Sequence, residues 1–227
     1  MIHCNILFDE NDKEISPSKI YQLINNFGES YKDSTNKIIT KSESLDKNGK
    51  TFIECGSLIL SNFGMTRRGV FSESLQERLQ ACWDKIGEDI LLIKDEINNS
   101  GKSRDRFLLE ISNDELKNFA SQVWFMTKEI LPITMSKSSY GLVGASKILF
   151  SILPEIVLPI DNQQWKELFK TVDLGDVIEF MTEDVHNWEN MTGEQLNTLD
   201  KKNRLTTLPS VYNVIAMAAR PRINDFS

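Results

Sequence analysis

The chain has 227 residues, 40% hydrophobic and 26% charged, with a formal net charge of −7. Those proportions belong to a globular protein long enough for one sizeable core or two small ones, and they exclude a disordered chain. No apolar run approaches the roughly 20 residues that a membrane-spanning helix needs.

The opening residues, MIHCNILFDENDK, lack a basic region followed by an apolar stretch and a small-residue cleavage site, so no signal peptide is expected. Ile2, Cys4, Ile6 and Phe8 alternate with polar neighbours and predict a short strand. Ser16-Pro17 then starts a helix, with Ile20, Leu23, Ile24 and Phe27 on one face and Gly28 at its end. Residues 29–50 are rich in Ser, Thr, Asn and Lys and read as a long loop closing on an Asn48-Gly49 turn. The apolar pieces at 51–55 and 57–60 beside it predict a small β element. Phe63 to Gly69 reads as a flexible basic loop carrying Arg67 and Arg68.

From Ser72 the pattern is helical. Phe71, Leu75, Leu79, Trp83, Ile86, Ile90, Ile93 and Ile97 fall at intervals of three and four, one continuous apolar stripe. Ser112 with Glu115 predicts a capping box for the next helix, whose face is Leu116, Phe119, Val123, Met126 and Ile130 and which Pro132 should stop. A glycine-bearing turn (Gly141, Gly144) leads into a short apolar helix carrying Ser146 and Lys147 and broken at Pro154. Asp161 and Gln164 predict another capping box, opening a helix to about Lys170. Val177, Met181, Val185 and Trp188 predict a helix in the acidic segment, Thr192 with Gln195 caps the next, and Pro209 leads the last. The expected fold is mainly α, with seven or eight helices and a small irregular or β element in the N-terminal third. It is read as one compact unit with a soft boundary near residue 70.

Charge is segregated along the chain. Asp173 to Asp200 holds eight acids and no Lys or Arg, Lys201 to Arg222 holds five bases and no acid, and Lys32 to Arg68 holds seven bases against four acids. An acidic total therefore still permits a local anion-binding face, although ordinary solvated surface accounts for the same pattern. Three widely spaced cysteines (Cys4, Cys55, Cys82) without a CxxC pair fit reduced thiols in a cytoplasm. Two histidines, His3 and His186, leave little for a zinc site, so neither a metal nor a cofactor is expected. Gly101-Lys102-Ser103 is not a phosphate-binding loop, since Glu96 stands where its first glycine belongs. No Gly-x-Ser-x-Gly elbow or His-Glu-x-x-His motif occurs.

The stretch from Tyr140 to Phe169, YGLVGASKILFSILPEIVLPIDNQQWKELF, combines tight turns, a lysine and a carboxylate as no other part does. It resembles the core of the helix-hairpin-helix DNA glycosylases, of the 8-oxoguanine glycosylase and endonuclease III type. In that family a glycine hairpin leads into a helix with a lysine near its start, and a Pro-x-Asp closes the unit. Here the glycines stand three apart rather than two, and the interval from Lys147 to Asp161 is about one helical turn shorter. The resemblance implies an enzyme that flips out and excises a damaged or modified base, with or without lyase activity. The divergence, and the lack of a cysteine cluster for an iron–sulfur centre, suggest a specialised substrate, with defence against phage DNA as one setting.

On this resemblance Asp161 is the electrostatic stabiliser and base, and Lys147 the nucleophile or a phosphate ligand. Gly141, Gly144, Ser146, Lys137, Arg67 and Arg68 would hold the DNA backbone, and Trp165 and Tyr140 would line the base pocket. Each residue also has a plainer reading. Asp161 is a good N-cap, Lys147 reads as a snorkelling surface lysine, the glycines as an interhelical turn, Trp165 as core. The competing hypothesis is therefore a non-catalytic helical interaction or DNA-binding protein that keeps the fold, with protein partners docking on the acidic 173–200 face.

Overall fold

The structure, a computed structural model, describes residues 5–9, 11–67, 69–135, 141–162 and 164–219, with only the backbone of residues 165–167 and 219. Arg68, Lys137, Tyr140 and the Trp165 side chain lie outside the described residues. Nine α-helices are found among those described: α1 (Pro17–Asn26), α2 (Glu29–Ser42), α3 (Lys50–Asn62), α4 (Leu75–Asn99), α5 (Phe107–Glu110), α6 (Asn113–Thr134), α7 (Leu142–Phe150), α8 (Leu174–Thr192) and α9 (Leu208–Ala219). A π-helical segment, Gln164–Phe169, and a 3-10 turn, Leu196–Leu199, complete the order.

The fold is mainly α, as the periodicity predicts, and the N-terminal third departs from expectation. No strand occurs among the described residues; Phe8 and Glu14 form one isolated bridge. The residues expected to form a β element lie in α3, which buries Thr51, Phe52, Cys55, Gly56, Ile59 and Leu60. Their spacing of three and four is the helical one, and the pair of short apolar runs hid it. The expected loop at 29–50 is mostly α2, whose buried face includes Lys32, Thr35 and Ser42 beside Ile38 and Ile39. Pro132 does not stop α6, which runs two residues further; Met135 N–H still reaches Leu131 O at 2.9 Å. Only the final turn lacks the proline donor, so the loss is small.

The Ser112–Glu115 capping box forms as expected: Ser112 Oγ accepts Glu115 N–H at 3.3 Å and Ser112 N–H donates to Glu115 Oε2 at 2.7 Å. It orients α6, which packs against α4, α7 and α8. Helix α3 packs against α2, α4 and α7, and α1 lies against α9. Helix α7 is buried almost throughout, from Leu142 to Phe150, and so is the chain behind it, Ile152 to Ile160.

Two buried carboxylates tie distant segments together. Glu155 is 1% exposed and accepts Lys94 Nζ at 3.0 and 3.1 Å, together with the Arg104 guanidinium, which also reaches Glu43 at 2.6 Å. Burial pushes the Lys94 amine below its ordinary range, against the pull of Glu155. Asp184 on α8 uses Oδ2 to accept the N–H groups of Ile6 and Leu7 at 3.0 and 3.2 Å and the Tyr212 hydroxyl at 2.7 Å. One carboxylate thus joins the N-terminal segment to α8 and α9, while its Oδ1 is buried without a hydrogen-bond partner. Burial is the largest influence and raises the Asp184 carboxyl to about 7.

That shift has a definite sign. Between the unfolded value of 3.8 and about 7 the folded chain keeps a proton that the unfolded chain releases. The contribution of Asp184 to stability is therefore largest below pH 4 and is lost as pH rises through about 7. Melting temperatures of wild type and Asp184→Asn, compared from about pH 4 to 8, should show a difference that drifts steadily in favour of the variant. A difference that stays flat over that range would refute the assignment.

Candidate functional site

The site is built around one hydroxyl. Ser146 on α7 is fully buried; its Oγ accepts Ile160 N–H at 3.1 Å and shares its proton between Val143 O at 3.1 Å and Ile160 O at 3.3 Å. Both backbone groups of Ile160 are thereby latched to α7. Lys147 follows Ser146 and Asp161 follows Ile160, so the latch brings the two sequence-predicted catalytic residues to adjoining points of the fold.

Gly141 caps α7 in the left-handed conformation, φ +78°. Its carbonyl accepts Thr134 Oγ1 at 2.9 Å, and a Cβ on it would stand 2.6 Å from that oxygen and 2.7 Å from Met135 N. Glycine is required twice there, by dihedral and by space. Gly144 does not belong to the turn. It lies inside α7, where a Cβ would meet the Phe71 ring at 3.0 Å. Gly144 and Ser146 are both buried and serve helix packing and the latch.

Lys147 is 4% exposed, so it is not a snorkelling surface lysine. Its ammonium lies 4.3 Å from the centre of the Phe63 ring and 3.8 Å from Met65 Sδ. The ring face attracts a cation through its quadrupole. Phe63 stacks edge-on against Tyr31, centroids 5.8 Å apart, and Tyr31 against Phe27 at 5.1 Å. The loop that carries Phe63 and Met65 continues to Arg67, which is exposed.

Asp161 makes the expected capping box in full. Its Oδ1 accepts Gln164 N–H at 2.9 Å, and its own N–H donates to Gln164 Oε1 at 2.7 Å. The helix that it opens is a π-helix, not an α-helix, a rare form that is frequent at functional sites. Gln164 Nε2 donates to Asn213 Oδ1 on α9 at 2.9 Å, and Asn213 Nδ2 donates to the Tyr31 hydroxyl. Burial holds that hydroxyl at about 12. A circuit of contacts thus runs Lys147, Phe63, Tyr31, Asn213, Gln164, Asp161, and the Ser146–Ile160 latch closes it. Comparison with protein-family models, with curated proteins and with solved structures finds no match.

Sequence reasoning brought out Lys147, Asp161 and the latch serine but missed Tyr31, Phe63, Met65, Gln164's outward bond and Asn213. Phe63 and Tyr31 stood in segments read as loops, and Asn213 in a helix noted only for its apolar face. The acidic face expected at 173–200 is also thinner than its composition suggests. Asp184 is buried as described, and Glu189 pairs with Arg106 at 2.7 Å. Asp173 caps α8 through Gly175 N–H at 2.7 Å, and Asp200 accepts Arg204 and Leu205 N–H at 2.7 Å. In the basic run after it Arg204 is likewise engaged, bridging to Asp33 at 2.8 Å and to Glu29, while Arg220 and Arg222 lie outside the described residues. No group of His, Cys, Asp and Glu suited to a metal ion occurs among the described residues. No described helix is long and apolar enough to cross a membrane.

Two substitutions test this local architecture by urea denaturation. Ser146→Ala should cost about 1–3 kcal/mol, because it strands a buried N–H. Gly141→Ala should destabilise by about 1–3 kcal/mol more than Gly193→Ala. Gly193 has a similar φ of +72° but nothing within 4 Å of a new Cβ, so the difference reads crowding alone.

Proposed function

We propose that this chain is a DNA N-glycosylase of the helix-hairpin-helix type that excises a damaged or modified base. The observation that carries the proposal is the placing of a buried lysine against aromatic and thioether groups, latched beside a carboxylate at a helix start. Departure of a base leaves positive charge on the sugar, and a carboxylate of fixed orientation stabilises it. Asp161 has that orientation through its bond to Gln164 N–H. Lys147, in its neutral form, attacks C1′ as the N-glycosidic bond breaks with its electron pair to the base, which takes up a proton. The C1′–O4′ bond then breaks with its electron pair to O4′; of the amine's two protons one balances that taken up by the base and the other goes to O4′, leaving a Schiff base. Tyr31, Phe63 and Phe27 offer ring faces for the extruded base, and Arg67 a cation for the backbone. A damaged or modified base is the substrate class, in repair or in defence against foreign DNA.

One observation favours a second reading, a non-catalytic helical protein. Asp161, Ser146, Gly141 and Gly144 each have a complete structural task within the fold. A set of duplexes separates the two: unmodified DNA, and duplexes containing uracil, 8-oxoguanine, 5-hydroxymethylcytosine or a glucosylated cytosine. Wild type should release base from at least one, and Asp161→Asn should lower that rate by about 100-fold or more. Sodium borohydride should trap wild type on the same duplex, and Lys147→Gln should abolish the adduct. Silence of wild type on every duplex, with no DNA binding at low salt, would leave the non-catalytic reading standing.

A further inference from the structure

We propose that Asn213 is a positioning residue for Asp161, acting through Gln164 from the opposite side of the site; this rests on the glycosylase reading. The argument is one of hydrogen-bond polarity. The backbone N–H of Asp161 can only donate, so the Gln164 side chain must turn its carbonyl oxygen toward it, as it does at 2.7 Å. The Gln164 NH₂ group is thereby aimed at α9, where it meets Asn213 Oδ1 at 2.9 Å. Asn213 must in turn direct its own NH₂ toward the Tyr31 hydroxyl, with Met217 Sδ at 3.6 Å behind it. Thr35 reaches the same Tyr31 oxygen. Each amide therefore has one orientation, imposed by a peptide group that cannot reverse.

Gln164 is 1% exposed and Asn213 fully buried, so water does not replace a lost partner. Without an acceptor at 213 the Gln164 NH₂ group is stranded. Keeping its oxygen on Asp161 retains that bond but buries an NH₂ group without a partner, and a flipped amide sets donor against donor at the Asp161 N–H. The side chain relieves both costs only by swinging away from Asp161, which loosens the reciprocal box and with it the hold on the Asp161 carboxylate. Asn213 thus acts on the carboxylate two links away, without touching DNA.

Positioning and mere packing predict opposite orders for two substitutions. Asn213→Leu fills the space and removes the acceptor. Asn213→Asp keeps an acceptor for Gln164 and accepts the Tyr31 proton on its other oxygen, but introduces an unscreened buried charge. If Asn213 positions Asp161, single-turnover base release on the duplex that wild type cleaves fastest should fall about tenfold or more in the Leu variant and stay within about threefold in the Asp variant. The affinity of both for that duplex should stay within about twofold of wild type. If the residue only packs, the Leu variant should be the better one, since burying a charge costs more than burying a methyl group. A wild-type rate in the Leu variant, or an equal loss in both, overturns the assignment.

Should thermal melting show the Asp variant unfolded, Gln164→Glu replaces it. Its carboxylate still accepts Asp161 N–H, and the Asn213 amide can turn over to donate to it and accept from Tyr31. A rate within about threefold of wild type is expected, against a loss of about tenfold for Gln164→Leu; equal losses overturn the assignment. The two failures are distinguishable. Wild type silent on every duplex removes the glycosylase reading and this role together, whereas an active wild type with an unaffected Leu variant removes this role alone.

Discussion

The segment behind α7 is apolar and buried from Val157 to Ile160, yet it belongs to no helix or sheet. A buried peptide group that has neither a ladder nor water needs another partner. Ser146 supplies one at Ile160, as acceptor for its N–H and as donor for its carbonyl. A hydroxyl suits this task because it has both capacities in one atom, which alanine, valine and cysteine of similar size do not match. The register of that segment on α7 follows from the contact, and so do the places of Lys147 and Asp161. The structural role of Ser146 and the catalytic roles proposed for its neighbours are consequently not in competition: the first is the reason the second is geometrically open.

The protein buries charge in three different ways. Lys94 is clamped by both oxygens of Glu155, with Arg104 completing the network. Such a cluster is held in one geometry by several charge-assisted bonds, and removing a member leaves an uncompensated charge. Asp184 is held instead by neutral donors, which leaves burial dominant and its carboxyl raised to about 7. Lys147 has a ring face and a thioether among its contacts. The first arrangement suits a permanent tie.

How much of this was legible in the sequence depended on the distance over which each signal acts. The stripe of α4 and the boxes at Ser112 and Asp161 are local, and each appears where its spacing places it. Helix α2 was hidden because its inner face carries Lys32, Thr35 and Ser42. Lys32 is tolerated there because its ammonium reaches Asn25 O at 3.1 Å, a partner that no periodicity reports. Helix α3 was hidden because two short apolar runs beside an Asn-Gly turn satisfy a hairpin template as well as a helical one. The connection of Gln164 to Asn213 and on to Tyr31 spans 49 and 182 residues of chain, so nothing in local spacing could disclose it. Half of the proposed site is therefore readable in one thirty-residue stretch, while the half that orients it is supplied by α2, α9 and the loop after α3.

Charge gives the last constraint. The chain carries a net charge of −7, and Arg204 and Arg106 are already paired with carboxylates rather than free to neutralise phosphates. On the glycosylase reading, nonspecific affinity of so acidic a chain for DNA is weak, and the fewer phosphates it neutralises the shallower its salt dependence. Discrimination then comes from the ring faces proposed to receive the extruded base, those of Tyr31, Phe63 and Phe27. An enzyme so built gains little on ordinary DNA and depends on bases that leave the stack at low cost or fit the pocket unusually well. That expectation agrees with the specialised substrate suggested by the divergence of the Tyr140–Phe169 stretch, and it arises independently, from where the charges of the folded chain are spent.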